Sequence, residues 1–159
     1  MWLSKHLILI LILASVTGCS FKPAFMSNGV AKELRGNIEF DIPADRNTYK
    51  LISKLEENFN RSNSPTYKLG VSLAQSSKGL GGFGNISRYN LMGTASFNLR
   101  SIETGEILLE DEVSTFTSYS ASSQTLATET AARAAQERLM RALANKITSS
   151  IIINFNFKK

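Results

Sequence analysis

The chain has 159 residues, with 18 Lys and Arg against 13 Asp and Glu for a formal net charge of +5, and it holds a single Cys, a single His and a single Trp. One cysteine excludes an internal disulfide framework. The basic surplus is moderate, which suits an anionic membrane surface and gives no reason to expect a nucleic-acid partner.

Residues 1–18 read as a signal peptide. Lys5 and His6 supply a short basic start, Leu7 to Ala14 an apolar stretch, and Ser15-Val16-Thr17-Gly18 a run of small residues before Cys19. This resembles a bacterial lipoprotein signal sequence, in which Cys19 becomes the first mature residue and carries acyl chains. The apolar stretch falls well short of the roughly 20 residues that cross a bilayer as a helix. A buried core cysteine behind an ordinary cleaved signal, and a single-helix anchor, are the competing readings.

Cleavage before Cys19 removes Trp2, Lys5 and His6, leaving 17 Lys and Arg against 13 Asp and Glu, or about +4. The mature chain then has no histidine and, once acylated, no free thiol. That excludes Ser-His-Asp and Cys-His nucleophiles and takes away the usual zinc ligands, so no enzyme, metal or cofactor is expected. Roughly 140 residues suffice for one domain that buries about two-thirds of its unfolded surface.

Residues 19–36 mix Pro23, Ser27, Asn28 and Gly29 with scattered charges, which predicts a lipid-anchored tether followed by a loop. The domain proper spans 37–159. Asn37 to Ile42 alternates, so a short strand is expected with Ile38, Phe40 and Ile42 facing a core and Pro43 ending it. Asp45 is placed to cap the next helix, about Arg46 to Asn60, with Tyr49, Ile52, Leu55 and Phe59 on its apolar side. Tyr67, Leu69, Val71 and Leu73 alternate in a second strand; Tyr89, Leu91, Ala95, Phe97 and Leu99 mark a third. Thr104-Gly105 predicts a hairpin into a fourth strand, Ile107 to about Tyr119. The face assignment slips between Leu109 and Phe116, which points to a bulge or twist near Glu110-Asp111-Glu112.

From about Gln124 to Ser149 the stripe Ala127, Ala131, Ala135, Leu139, Leu143, Ile147 predicts a long helix. The tail Ile151 to Phe157 switches to alternation, as either a last edge strand or a segment that pairs with another protein. The expected class is α+β in the order β-α-β-β-β-α. It is a four-stranded, largely antiparallel sheet with two helices packed on one face, its other face small, polar and open.

Lys78-Gly79-Leu80-Gly81-Gly82-Phe83-Gly84 lacks the order of a phosphate-binding loop and leads into a strand, where no helix N-terminus waits for phosphates. It reads as a flexible hairpin connection, or as a loop offering Leu80 and Phe83 to a partner or lipid beside Lys78. In Glu110-Asp111-Glu112, strand alternation turns the middle carboxylate to the opposite face, against a catalytic pair. Asn60-Arg61-Ser62 and Asn85-Ile86-Ser87 match a glycosylation pattern that means little in a bacterial lipoprotein.

Several strings, taken in order, resemble the LptE family of lipopolysaccharide-assembly lipoproteins, especially its shorter alphaproteobacterial members. They are Gly18-Cys19-Ser20-Phe21-Lys22-Pro23-Ala24-Phe25, Tyr67-Lys68-Leu69, Arg88-Tyr89-Asn90-Leu91, Thr104-Gly105-Glu106, and Tyr119 through Ala131-Ala132-Arg133-Ala134-Ala135 to Leu143-Ala144-Asn145-Lys146-Ile147. The resemblance implies an outer-membrane lipoprotein on the periplasmic side, held in outer-membrane lipid by its acyl anchor. It implies a plug and assembly partner of the β-barrel LptD that binds lipopolysaccharide, and Ser20 after the acylated Cys19 fits outer-membrane sorting. In studied members, basic residues at the central hairpin tip and in the loop before the last helix contribute to that binding. Here Lys78 lies near the first position, and the loop from Ser118 to Gln124 has no basic residue. Lys78, Arg88 and Arg100 are the candidates for lipopolysaccharide phosphates; Leu80, Phe83 and Tyr119 are the candidates for partner contact. An accessory lipoprotein of a periplasmic lipid-transport system is the alternative, and a lipid-anchored hydrolase would have to work with carboxylates alone.

Overall fold

The computed structural model describes residues 30–82 and 85–155, so Cys19, the leader and Phe83 lie outside it. The described elements are α1 (Val30–Leu34), β1 (Ile38–Phe40), α2 (Arg46–Phe59), β2 (Tyr67–Gly82), β3 (Asn85–Ser101), β4 (Ile107–Ser120) and α3 (Thr125–Asn154). The sheet order is β1-β2-β3-β4, with β1 parallel to β2 and the other neighbours antiparallel. The α+β class therefore stands, with a helical turn added ahead of the first strand.

That turn, α1, falls inside the stretch read as tether and loop. Ala31 and Leu34, three residues apart, are both buried, and the Gly36 N–H bonds the Phe59 carbonyl at 2.8 Å. Five residues are too few to show a helical period in the sequence. β1 is shorter than expected because Asp41 leaves the alternation to meet Lys68 and Arg100, and Ile42 ends up 94% exposed instead of facing the core.

α2 starts as its sequence predicts. The Asp45 carboxylate accepts from the Asn47 and Thr48 N–H groups at 2.7 and 3.1 Å and from the Thr48 hydroxyl at 2.6 Å, satisfying donors the helix leaves open. Its buried residues are Thr48, Leu51, Ile52, Leu55 and Phe59. The buried stripe is thus rotated from the expected one: Tyr49 is 60% exposed, and Leu51 takes the core position.

β2 and β3 depart most from expectation. The glycine-rich run from Lys78 to Gly82 is strand, paired with β3 through Gly79↔Tyr89 and Leu80↔Arg88, with a register shift between Leu80 and Gly81. Glycine keeps both backbone hydrogen-bonding groups, so a facing strand can hold it in a ladder despite its low strand propensity. Seventeen residues of β3 extend roughly 55 Å at strand rise, making a long ribbon.

The turn between β3 and β4 is closed by Ser101 N–H to Glu106 carbonyl at 3.0 Å, with Gly105 at φ 71° where a side chain would be strained. The bulge lies slightly earlier than expected: Leu99 pairs with Leu109 and Arg100 with Ile107, leaving Leu108 between them. Both Leu108 and Leu109 pack against the core, which strict alternation would forbid.

α3 runs 30 residues and buries Ala135, Leu139, Met140, Leu143, Ala144, Ile147, Ile151 and Ile152. Ala127 of the expected stripe is exposed and Ala131 half-buried. The apolar tail is not a strand through Asn154; Ile151 follows Ile147 at helical spacing into the same core, and that burial outweighs the poor helix propensity of three consecutive isoleucines. Phe155 closes the helix with its N–H on the Ile151 carbonyl and its ring edge-on to Tyr67, centroids 5.5 Å apart. Residues 156–159 lie outside the described residues.

α3 sits close on β3 at Gly93, where an added Cβ would come within 3.0 Å of Leu143 Cδ1 and 3.2 Å of Leu139 Cδ2. Among the described residues no helix is long and apolar enough to cross a membrane.

Candidate functional site

Strand alternation divides the sheet into two faces. One carries Leu69, Ala95, Phe97 and Leu99 under α2 and α3. The other is open, and its cross-strand rows run from Lys68–Arg100 at one end, through Asn98–Glu110, Ser96–Glu112, Thr94–Ser114 and Met92–Phe116, to Leu80–Arg88 at the other.

The three cations proposed for phosphates do not come together. Lys78 and Arg88 share the ribbon end of the open face, one row apart, both exposed and neither in an ion pair among the described residues. Arg100 lies at the opposite end, some 40 Å away along β3 at strand rise. There Asp41 holds both Arg100 at 2.8 Å and Lys68 at 3.1 Å. Gly70 makes room for this: a Cβ would stand 2.9 Å from the Asp41 carboxylate. Arg100 is thus already paired with a carboxylate, unlike Lys78 and Arg88 among the described residues.

The proposed partner residues are also separated. Leu80 stands directly across from Arg88 on the open face, whereas Tyr119 faces the helix side, stacked on Tyr89 with ring centroids 5.3 Å apart. Lys78 and Arg88 therefore occupy the face opposite to the Tyr89–Tyr119 stack.

The acidic trio divides as alternation requires. Glu110 and Glu112 point to the open face, where Ser96 donates to Glu112 at 3.0 Å. Asp111 turns inward, and the Ser150 hydroxyl, aided by the Glu112 N–H, holds its carboxyl below the usual range. Among the described residues no group of three His, Cys, Asp or Glu could hold a metal ion.

Sequence reasoning missed Met92 and Phe116, a directly opposed pair on the open face with 52% and 63% of their surface exposed. The signal was the phase slip itself. With Leu109 and Val113 inward, Phe116 is one residue out of step and must face out.

The outer edge of β4 is guarded by α3. Lys146 donates to the Ser114 carbonyl at 2.8 Å and Arg138 to the Ser118 carbonyl at 3.2 Å, covering groups that would otherwise invite another strand.

The described residues thus combine an open polar sheet face, a ribbon whose Lys78 and Arg88 have no ion pair among them, and carboxylates spread along the strands. The chain belongs to the LptE lipopolysaccharide-assembly family, whose model matches residues 36–151, and so to the non-enzymatic lipoproteins that serve lipopolysaccharide assembly in the cell envelope. A candidate lipoprotein from Caulobacter crescentus shares the fold at TM-score 0.64 and 23% identity, over 74% of this chain and 89% of that one. Rare lipoprotein B from Shewanella oneidensis does so at TM-score 0.56 and 14% identity, over 74% and 93%. A minor lipoprotein from Acinetobacter baumannii superposes at TM-score 0.53 and 21% identity, over 74% and 89%. No curated protein matches the sequence.

Proposed function

We propose that this protein is the outer-membrane lipoprotein of a lipopolysaccharide translocon. Acyl chains on Cys19 hold it on the periplasmic side, and the folded domain serves as plug and assembly partner of the β-barrel LptD. Lys78 and Arg88 meet phosphates of lipopolysaccharide; two unpaired cations one row apart give charge-assisted hydrogen bonds without first breaking an ion pair. Arg100 drops out of that set because Asp41 already occupies it. Leu80, across from Arg88, keeps its place as a contact residue beside the cations.

The observation that carries this reading is the family match over residues 36–151, which spans the whole sheet and nearly all of α3. Affinity capture of the tagged, acylated protein from solubilised membranes tests it. Retention of LptD is the expected result. Recovery of inner-membrane transporter subunits alone overturns it in favour of an accessory lipoprotein of periplasmic lipid transport.

A further inference from the structure

The four sheet strands carry four Lys and Arg against four Asp and Glu, whereas α2 and α3 carry seven against four. The basic surplus of these elements therefore lies on the helix layer, across the fold from the open face. Most of its cations are already engaged. Arg133 pairs with Glu129 at 3.5 Å and Lys54 with Glu57, while Arg138 and Lys146 hold carbonyls of β4. Arg46, Lys50 and Arg141 have no ion pair among the described residues. Two of these three, Lys50 and Arg141, line one groove between α2 and α3, together with Ser53, Lys54, Glu137 and Met140.

Glu137 has no ion pair either among the described residues. It precedes Arg141 by the same four residues that join Glu129 to Arg133, yet the pair does not form. Two cations and one carboxylate thus share a groove of about 220 Å³ without neutralising one another. The seam that holds them is tied at both ends. At one, the Gln75 side-chain carbonyl accepts from Asn47 at 2.9 Å and from Gln136 at 3.1 Å; at the other, Asn58 donates to the Thr148 hydroxyl at 3.0 Å. Met140, almost fully buried, lines the groove between them. Walls fixed in this way keep the charges in place before a ligand arrives, which lowers the ordering cost of binding.

We infer that this groove binds a phosphoethanolamine group, its phosphate between Lys50 and Arg141 and its ammonium on Glu137. The charge pattern selects that ligand. A bare phosphate satisfies the two cations but sets a like charge beside Glu137. Phosphocholine has the right net charge, but its quaternary ammonium has no N–H to donate to the Glu137 carboxylate. The volume lies below the roughly 300–1,000 Å³ of pockets that enclose a drug-sized molecule, so the groove suits a headgroup whose acyl chains stay outside. Its lining comes from α2 and α3 alone, so it is separate from Lys78 and Arg88 and needs no barrel partner.

Calorimetric titration of the acylated full chain in dodecyl maltoside, a detergent with neither phosphate nor amine, tests the groove. Wild type is expected to bind phosphoethanolamine about ten-fold more tightly than inorganic phosphate or phosphocholine. Lys50→Gln with Arg141→Gln is expected to weaken phosphoethanolamine about ten-fold, and Glu137→Gln to bring its affinity level with that of phosphate. Arg133→Gln, which removes an α3 cation outside the groove, is expected to match wild type. Thermal melting checks the fold of each variant. Should the double variant melt early, Glu137→Gln decides alone, because losing the preference while keeping phosphate binding requires the carboxylate in the groove. Vesicles then separate the two sources of the ligand. With the protein anchored in phosphatidylcholine, replacing part of the lipid by phosphatidylethanolamine is expected to weaken the added free group by competition, which assigns a membrane headgroup. Unchanged binding assigns a soluble phosphoethanolamine, and either result upholds the groove. No binding by wild type, equal affinity for all three probes, or unchanged affinity in the double variant overturns it.

Discussion

At the end of the sheet where β1 joins β2, Lys68 and Arg100 share the Asp41 carboxylate, and Leu34, Phe59, Leu69, Leu99 and Phe155 are buried in the core on the helix side. At the ribbon end, Lys78 and Arg88 stand exposed on the same face of the same strands, without an ion pair among the described residues. Residue type is alike at the two ends; what differs is whether another part of the chain folds back onto the strands. Asp41 does so at one end and makes cations structural. At the ribbon end no described residue pairs with Lys78 or Arg88 in an ion pair.

That contrast breaks first at the core. Leu143→Ala removes a fully buried side chain from α3 and should cost about 2–5 kcal/mol in denaturant unfolding. A loss below about 1 kcal/mol would mean that α3 is not held as described. Gly93→Val should cost about 1–3 kcal/mol, because the new side chain meets Leu143 and Leu139, and it should be partly rescued by Leu143→Ala in the same chain.

Charge substitutions at the two ends sharpen the comparison. Arg100→Gln should lower stability by no more than about 1 kcal/mol, since its ion pair is partly exposed, and should leave lipopolysaccharide binding unchanged. Lys78→Gln with Arg88→Gln should do the reverse, keeping the unfolding midpoint while weakening lipopolysaccharide binding in a titration. Equal binding losses at both ends would erase the distinction.

A smaller effect concerns acid. Asp45 sits below its ordinary value of 3.8, chiefly through the Thr48 hydroxyl and then the Thr48 and Asn47 N–H groups; Asp111 does so chiefly through Ser150. A carboxylate depressed in the folded state contributes stability that is complete above the unfolded value and is lost as pH falls through the folded value. The melting temperature should therefore hold near neutrality and begin to fall below about pH 4. Asp45→Ala should lower it at neutral pH and flatten part of the acid fall. An unchanged fall in that variant would remove Asp45 from the account.

Much of the architecture was legible because it depends on local period. The alternation of Tyr67 to Leu73, the Thr104-Gly105 turn, the Asp45 cap and the stripe from Ala135 to Ile147 each specify an element within a few residues of itself. What escaped depends on what lies opposite. Lys78 to Gly82 has loop composition and becomes strand because β3 pairs with it; Ile151 and Ile152 alternate like a strand and stay helical because the core lies beneath them.

The candidate site divides in the same way. Lys78, Arg88 and Arg100 look equivalent in sequence, and only the fold of Asp41 onto Arg100 separates them. Met92 and Phe116 lie 24 positions apart and form a pair only through the β3–β4 register.

The sequence by itself determined the α+β order of elements and carried the expectation of a processing signal at Cys19 whose cleavage would remove the single histidine, because these are properties of neighbouring residues and of composition. The tertiary structure alone decided which cations are ion-paired among the described residues, which aromatic rings face outward and how far the β2–β3 pairing extends. Those depend on contacts between residues far apart in the chain, where register and burial outweigh local preference.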